Sequence, residues 1–219
     1  MTSVAKSSGK GSVIWMAGLA LVIVVGIIAV VAARGSRNEA TEKVDAKQTA
    51  PVEVSGAPAP LPALPESGDD PAAGQTIPTV TGSTFDGEEL VIGPDGRAKV
   101  IIFAAHWCPH CQREMPILVD HLKDSPMPDD VDLLTVSTGV EAQPGNYPPS
   151  AWLDRIGWTA PVLADSKESE AAAAFGLPGY PYFVAVDADG KVVARTSGEI
   201  PTDEFDALVE AARTGTAPA

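Results

Sequence analysis

The sequence predicts an α/β domain with a mixed sheet, and three observations carry that prediction. Lys99 to Ala105, KVIIFAA, is a continuous apolar run of the kind buried on both faces of a sheet. It leads into apolar positions at three- and four-residue steps and then into VDLLTVST, Val131 to Thr138, which together read as a strand–helix–strand unit. Asp86-Gly87 and Asp189-Gly190 each stand between strand-forming runs, the turn signal of a hairpin. The expected order is hairpin, strand, helix, strand, two helices, hairpin, helix.

Ahead of this domain the chain changes character twice. Val13 to Ala33 is an uncharged apolar run of 21 residues, about 31 Å long as a helix and so long enough to cross a bilayer. Lys6 and Lys10 precede it without an opposing acid, which places residues 1–12 in the cytoplasm and the bulk of the chain outside. A cleaved leader is the competing reading, because Val31-Ala32-Ala33 resembles a small-residue cleavage site. Residues 34–75 lose hydrophobic periodicity and gain prolines, and read as a disordered tether. The domain itself is expected over 76–213, with 214–219 as a tail.

Within the domain each element has a local cause. TFDGEELVI supplies the first hairpin. After Cys108 the positions Cys111, Met115, Leu118, Val119 and Leu122 share one helical face to about Lys123, with Pro116 inside as a kink. A short helix is expected from a Ser150 cap through Trp152, Leu153 and Ile156 to Gly157. Asp165 reads as the cap of an alanine-rich helix ending near Gly176, with Glu168 completing a capping box. GYPYFVAVDADGKVVARTSG gives the second hairpin, and Thr202 caps a last helix with Phe205, Leu208, Val209 and Ala212 on one face. From residue 76 onward 22 acids stand against 9 bases, so nucleic acid and anionic headgroups are excluded as partners of the domain.

The chain has only two cysteines, and they stand two residues apart in HWCPHC, His106 to Cys111. This spacing suits a small disulfide, a metal or disulfide exchange. Cys108 sits where a buried strand turns into a helix, so free N–H groups and the positive end of the helix dipole face its sulfur and favour a thiolate. Cysteines so placed titrate at about 3.5–7.5 rather than near 8.5. Cys111, one turn on, is placed to resolve a mixed disulfide, and Pro109 fits the first helical turn. His110 between the cysteines is expected to tune the redox poise, Trp107 to pack beside the dithiol, and His106 and His121 to take no part.

WCPHC after an apolar strand, followed by CQREMPIL, PVLAD and FGLPGYPYFVAVDADGKVVARTSG, resembles the TlpA/ResA-like branch of the thioredoxin superfamily, membrane-tethered thiol-disulfide oxidoreductases facing out of the cytoplasm. The resemblance covers roughly 76–213 and implies a thioredoxin-like fold, the nucleophile at Cys108, the resolving thiol at Cys111 and a cis proline at Pro181 facing them. It implies that Tyr180 and Pro181 receive an extended substrate segment, and that Glu114, three residues after Cys111, relays its proton. Thioredoxin itself draws that carboxylate from the preceding strand, where this chain has Ile102. Pro109-His110 resembles the dipeptide of DsbA, an oxidant, so the direction of exchange stays open. Exported protein thiols or disulfides and a membrane or extracytoplasmic redox partner are the expected partners, and no cofactor or metal is expected. Two competing readings are a copper- or zinc-binding protein using His106, Cys108, His110 and Cys111, and a peroxide reductase of the same fold.

Overall fold

Eight strands and four helices follow one another in the computed structural model, which describes residues 48–56, 60–142 and 145–218. The strands are β1 (Glu53–Ser55), β2 (Thr79–Ser83), β3 (Glu89–Ile92), β4 (Ala98–Ala104), β5 (Val131–Ser137), β6 (Val162–Ala164), β7 (Tyr182–Val186) and β8 (Val192–Ser197). The helices are α1 (Pro109–Asp124), α2 (Pro149–Ile156), α3 (Glu170–Ala174) and α4 (Thr202–Thr214). They form one sheet in the order β1-β2-β6-β5-β4-β7-β8, with β3 paired to β2. The pairs β4–β5 and β5–β6 are parallel and the others antiparallel, which is the mixed sheet expected.

The central strand explains why the apolar run is unbroken. Side chains alternate across a strand, and in β4 Val100, Ile102 and Ala104 enter one core with the inner faces of α1 and α4, while Ile101 and Phe103 enter a second with Phe175, Tyr182 and the alanines of α3. Both hairpins form at the expected turns, where Gly87 and Gly190 take φ of +88° and +76°. In Gly190 a side chain would also strike the Pro94 ring at 2.6 Å.

Three helix starts differ from expectation. Helix α2 begins at Pro149, before the expected Ser150 cap, with Pro148 at the cap position and the Ser150 N–H donating to the Gln48 side chain at 2.9 Å. Its end at Gly157, φ +79°, is as expected. Helix α3 is only five residues long. Asp165 does accept from the Ala171 and Ala172 N–H groups, at 2.9 and 3.1 Å, from a buried position at the end of β6, and Glu168 completes no box. Thr202 is the first residue of α4, and Pro201 holds the cap position.

The larger correction concerns the tether. Residues 1–47, with the expected cytoplasmic tail and membrane helix, lie outside the described residues, and among those described no helix is long and apolar enough to cross a membrane. From Gln48 onward, however, the expected disordered segment is part of the domain. Strand β1 pairs with β2, the Leu61 N–H donates to Ala174 O at 2.9 Å, and Leu61 and Ala72 are buried. Asp70 binds Arg195, whose side chain is fully buried and also donates to Pro62 O, Phe175 O and the Tyr182 hydroxyl. Proline-rich composition removes the local signal of structure, whereas the contacts of Leu61, Pro62 and Asp70 join residues more than a hundred positions apart.

Candidate active site

The site sits at the carboxyl end of β4, where the chain leaves the sheet and enters α1. Cys108 occupies the cap position of α1 (φ −70°, ψ 121°), with Pro109 at the first helical position and no acid in the first turn. No side-chain oxygen caps this helix, so its first N–H groups and the positive end of its dipole are left to the sulfur. Both cysteines are free thiols; Cys108 keeps 5% exposure and Cys111 none. The Cys108 Sγ lies 3.8 Å from the Tyr180 carbonyl oxygen, and the Tyr180-Pro181 peptide is cis, the isomer the resemblance implied. Burial drives the Cys111 thiol far above its ordinary range, so it holds its proton until a base removes it.

A buried carboxyl stands one turn along. Glu114 is 2% exposed, inside α1, and its Oε1 has no hydrogen-bond partner among the described residues. Burial raises its carboxyl to about 7; the Ile200 N–H opposes the rise, and Glu199 and Glu204 add to it. Ile102 lies in the same core as both cysteines, where it offers no second carboxylate. A carboxyl that changes charge near neutral pH beside a buried thiol has the properties a proton relay requires.

Around the dithiol, side chains fix the surface that a substrate would meet. The Trp107 indole donates to Gly139 O at 2.7 Å, and its ring meets that of Tyr180 edge-on at 5.7 Å. Gly139 is needed there, for at φ +58° a side chain would lie 2.6 Å from the Tyr180 hydroxyl oxygen.

The histidines do not gather at the sulfurs. His106 is buried, donates from Nδ1 to Gly145 O at 3.2 Å and accepts the Glu141 N–H at Nε2 at 3.4 Å, so it clasps the loop after β5. His121 faces Asp206 at 2.7 Å, away from the site. His110 is half-exposed and turns its Nδ1 to Glu199 at 2.5 Å. The set of His106, Cys108, His110 and Cys111 that the competing metal-binding reading needs is therefore not assembled, and no three metal-ligating side chains converge among the described residues.

Sequence reasoning missed Glu199. Its carboxylate receives Arg113 as well as His110, and those bonds, Arg113 first, hold it down at about 2. Nothing local marks Glu199, because its partners lie 86 and 89 residues earlier.

Comparison with known proteins places this arrangement among relatives. The Redoxin family profile matches residues 72–211. The methylamine utilization protein MauD of Methylophilus methylotrophus is 27% identical over 128 residues, a match covering 57% of this chain and only 56% of MauD. The thiol-disulfide oxidoreductase ResA of Geobacillus thermodenitrificans is 26% identical over 140 residues, covering 64% of this chain and 77% of ResA. The crystal structure of the thioredoxin domain of a thiol-disulfide oxidoreductase from Bacteroides vulgatus superposes with a TM-score of 0.53 at 18% identity, covering 65% of this chain and 99% of that domain, a likeness of fold. With a thioredoxin-like sheet and its cysteine pair at the β4–α1 junction, the chain is a TlpA/ResA-like member of the Redoxin family.

Proposed function

We propose that the protein is an extracytoplasmic thiol–disulfide oxidoreductase, tethered to the cytoplasmic membrane through residues 13–33 and acting on exported proteins. The observation that carries the reading is the Cys108–Cys111 pair at the uncapped start of α1, with the Tyr180 carbonyl against its outer sulfur.

In the reducing direction, Cys108 as thiolate attacks one sulfur of a substrate disulfide. The substrate S–S bond breaks, a Cys108–substrate bond forms, and the other substrate sulfur leaves and takes up a proton. Glu114 as carboxylate then removes the Cys111 proton, and the Cys111 sulfur attacks that of Cys108. The Cys108–Cys111 disulfide forms and the second substrate thiol is released, so the substrate gains two electrons that the dithiol loses. Oxidation of a substrate dithiol is the same sequence reversed. Tyr180 and Pro181 supply backbone for an extended substrate segment, and Trp107 holds Tyr180 in place. ResA, a thiol-disulfide oxidoreductase by name, supports the same chemistry here.

The direction depends on the partner that resets the pair. The helix dipole together with the His110 imidazole between the cysteines favours the thiolate and so the reduced form, which puts the couple above thioredoxin's potential, at roughly −240 to −150 mV. Equilibration with glutathione buffers, read by intact mass, tests this; a pair that forms no internal disulfide at any poise would overturn the proposal. Fractionation with protease accessibility on intact cells tests the location. Recovery of the full chain in the cytosol would contradict it.

A further inference from the structure

The turn from β8 into α4, Gly198 to Pro201, belongs to no motif around the cysteines and yet touches three parts of the site. Gly198 donates its N–H to Pro181 O at 2.9 Å, and the neighbouring Ser197 hydroxyl adds a bond to the same oxygen at 3.3 Å. The Ile200 N–H faces the buried carboxyl of Glu114. Between them, Glu199 accepts from Arg113 Nε through both oxygens at 3.1 Å, from Arg113 Nη2, and from His110 Nδ1 at 2.5 Å.

Both of these donors stand within the first turns of α1, whose cap is Cys108. Arg113 is permanently charged and feels the Cys108 sulfur. A free cation at this point would favour the Cys108 thiolate, in the same sense as the helix dipole. Glu199 instead draws both groups to itself and cancels the arginine's charge. Its own charge also bears on the buried relay, since it helps to keep the Glu114 carboxyl protonated.

We propose that Glu199 is a positioning residue that restrains the Arg113 guanidinium and the His110 imidazole of α1, and so sets both the reactivity of Cys108 and the poise of the dithiol. The inference rests on the reading that Cys108 is the attacking thiol. The other ionisable groups facing this region are Cys111 and Glu114 on α1, Tyr180 ahead of β7 with Asp165 behind it, and Glu204 on α4. None of these contacts His110 or Arg113 as Glu199 does, so the restraint has a single source among the described residues.

The test uses the reduced full-length chain and the rate at which iodoacetamide alkylates Cys108 at pH 6, with the modified residue identified by peptide mass. E199Q is expected to raise the rate about three- to tenfold at low salt, with the gain shrinking as salt screens the freed cation. The glutathione equilibrium is expected to shift by the same factor toward the reduced form, or about 15–30 mV. E199D should stay near wild type, and adding R113M to E199Q should cancel the gain. If E199Q does not fold, R113M alone decides, because it leaves Glu199 with His110 only and should slow alkylation. Wild-type rates in both E199Q and R113M, or a gain in E199Q that persists when Arg113 is removed, would overturn the proposal. Alkylation of Cys111 ahead of Cys108 in the wild-type protein would instead defeat the underlying reading, whatever Glu199 does.

Discussion

Replacing Glu114 by glutamine separates two consequences of one buried carboxyl. Burial raises that carboxyl from 4.5 to about 7, so the folded chain keeps a proton that the unfolded chain gives up within this window. The sign follows directly. Below pH 4.5 both states are protonated and the group costs nothing extra; as pH rises toward 7 the unfolded state is favoured progressively, and above 7 the loss of stability is complete. At 1.36 kcal/mol per unit the loss is on the order of 3 kcal/mol, or roughly 6–12 °C in melting temperature for a domain of this size. Glutamine has no proton to lose and can still accept the Ile200 N–H. The stability of Glu114→Gln relative to wild type should therefore rise by about that amount between pH 4.5 and 8. Catalysis should move the other way, with resolution of a Cys108 mixed disulfide slowed by about 100-fold, the lower end of what a positioned base contributes. In wild type the resolution rate should climb with pH and level off above about 7, and the variant should lack that inflection. Thermal unfolding across pH, with stopped-flow kinetics of resolution, measures both. Parallel stability curves together with unchanged resolution would refute the reasoning.

Two further outcomes concern the scaffold of the site. Asp70→Asn leaves the buried Arg195 guanidinium without its counter-charge and should cost about 3–5 kcal/mol in urea unfolding; a cost under about 1 kcal/mol would return residues 60–75 to the role of a tether. Gly139→Ala places a methyl group on the Tyr180 hydroxyl at a backbone conformation alanine resists, so turnover of a protein disulfide should fall about tenfold while alkylation of Cys108 by a small reagent changes less than about twofold. Equal loss in both assays would mean that the change distorts the dithiol itself.

The parts of the fold and site legible in the sequence are those whose causes are local. The unbroken run before Cys108 required a strand covered on both faces, and β4 divides its side chains between two cores. The spacing from Cys111 through Met115, Leu118 and Val119 specified one buried helical face, and Glu114, adjacent to that stripe, is buried with it. The dipeptides Asp86-Gly87 and Asp189-Gly190 named their turns because few residues accept a positive φ. What stayed hidden depends on partners distant in the chain. Glu199 sits in a plain turn and acquires meaning only when β8 brings it to Arg113 and His110. Leu61, Asp70 and Ala72 lie in a proline-rich stretch with no period, and their place in the domain is decided by contacts such as those of Leu61 with α3 and of Asp70 with Arg195 on β8. His110 was legible as a neighbour of the thiols, but its orientation toward Glu199 was not.

The central claim is that Cys108 attacks and Cys111 resolves, and trapping tests it most directly. With an oxidised protein substrate, Cys111→Ser should accumulate a mixed disulfide through Cys108, identified by mass spectrometry of the cross-linked peptides, and Cys108→Ser should form none and show no exchange. Adducts on Cys111 in Cys108→Ser with normal turnover, or no adduct in either variant, would contradict the account.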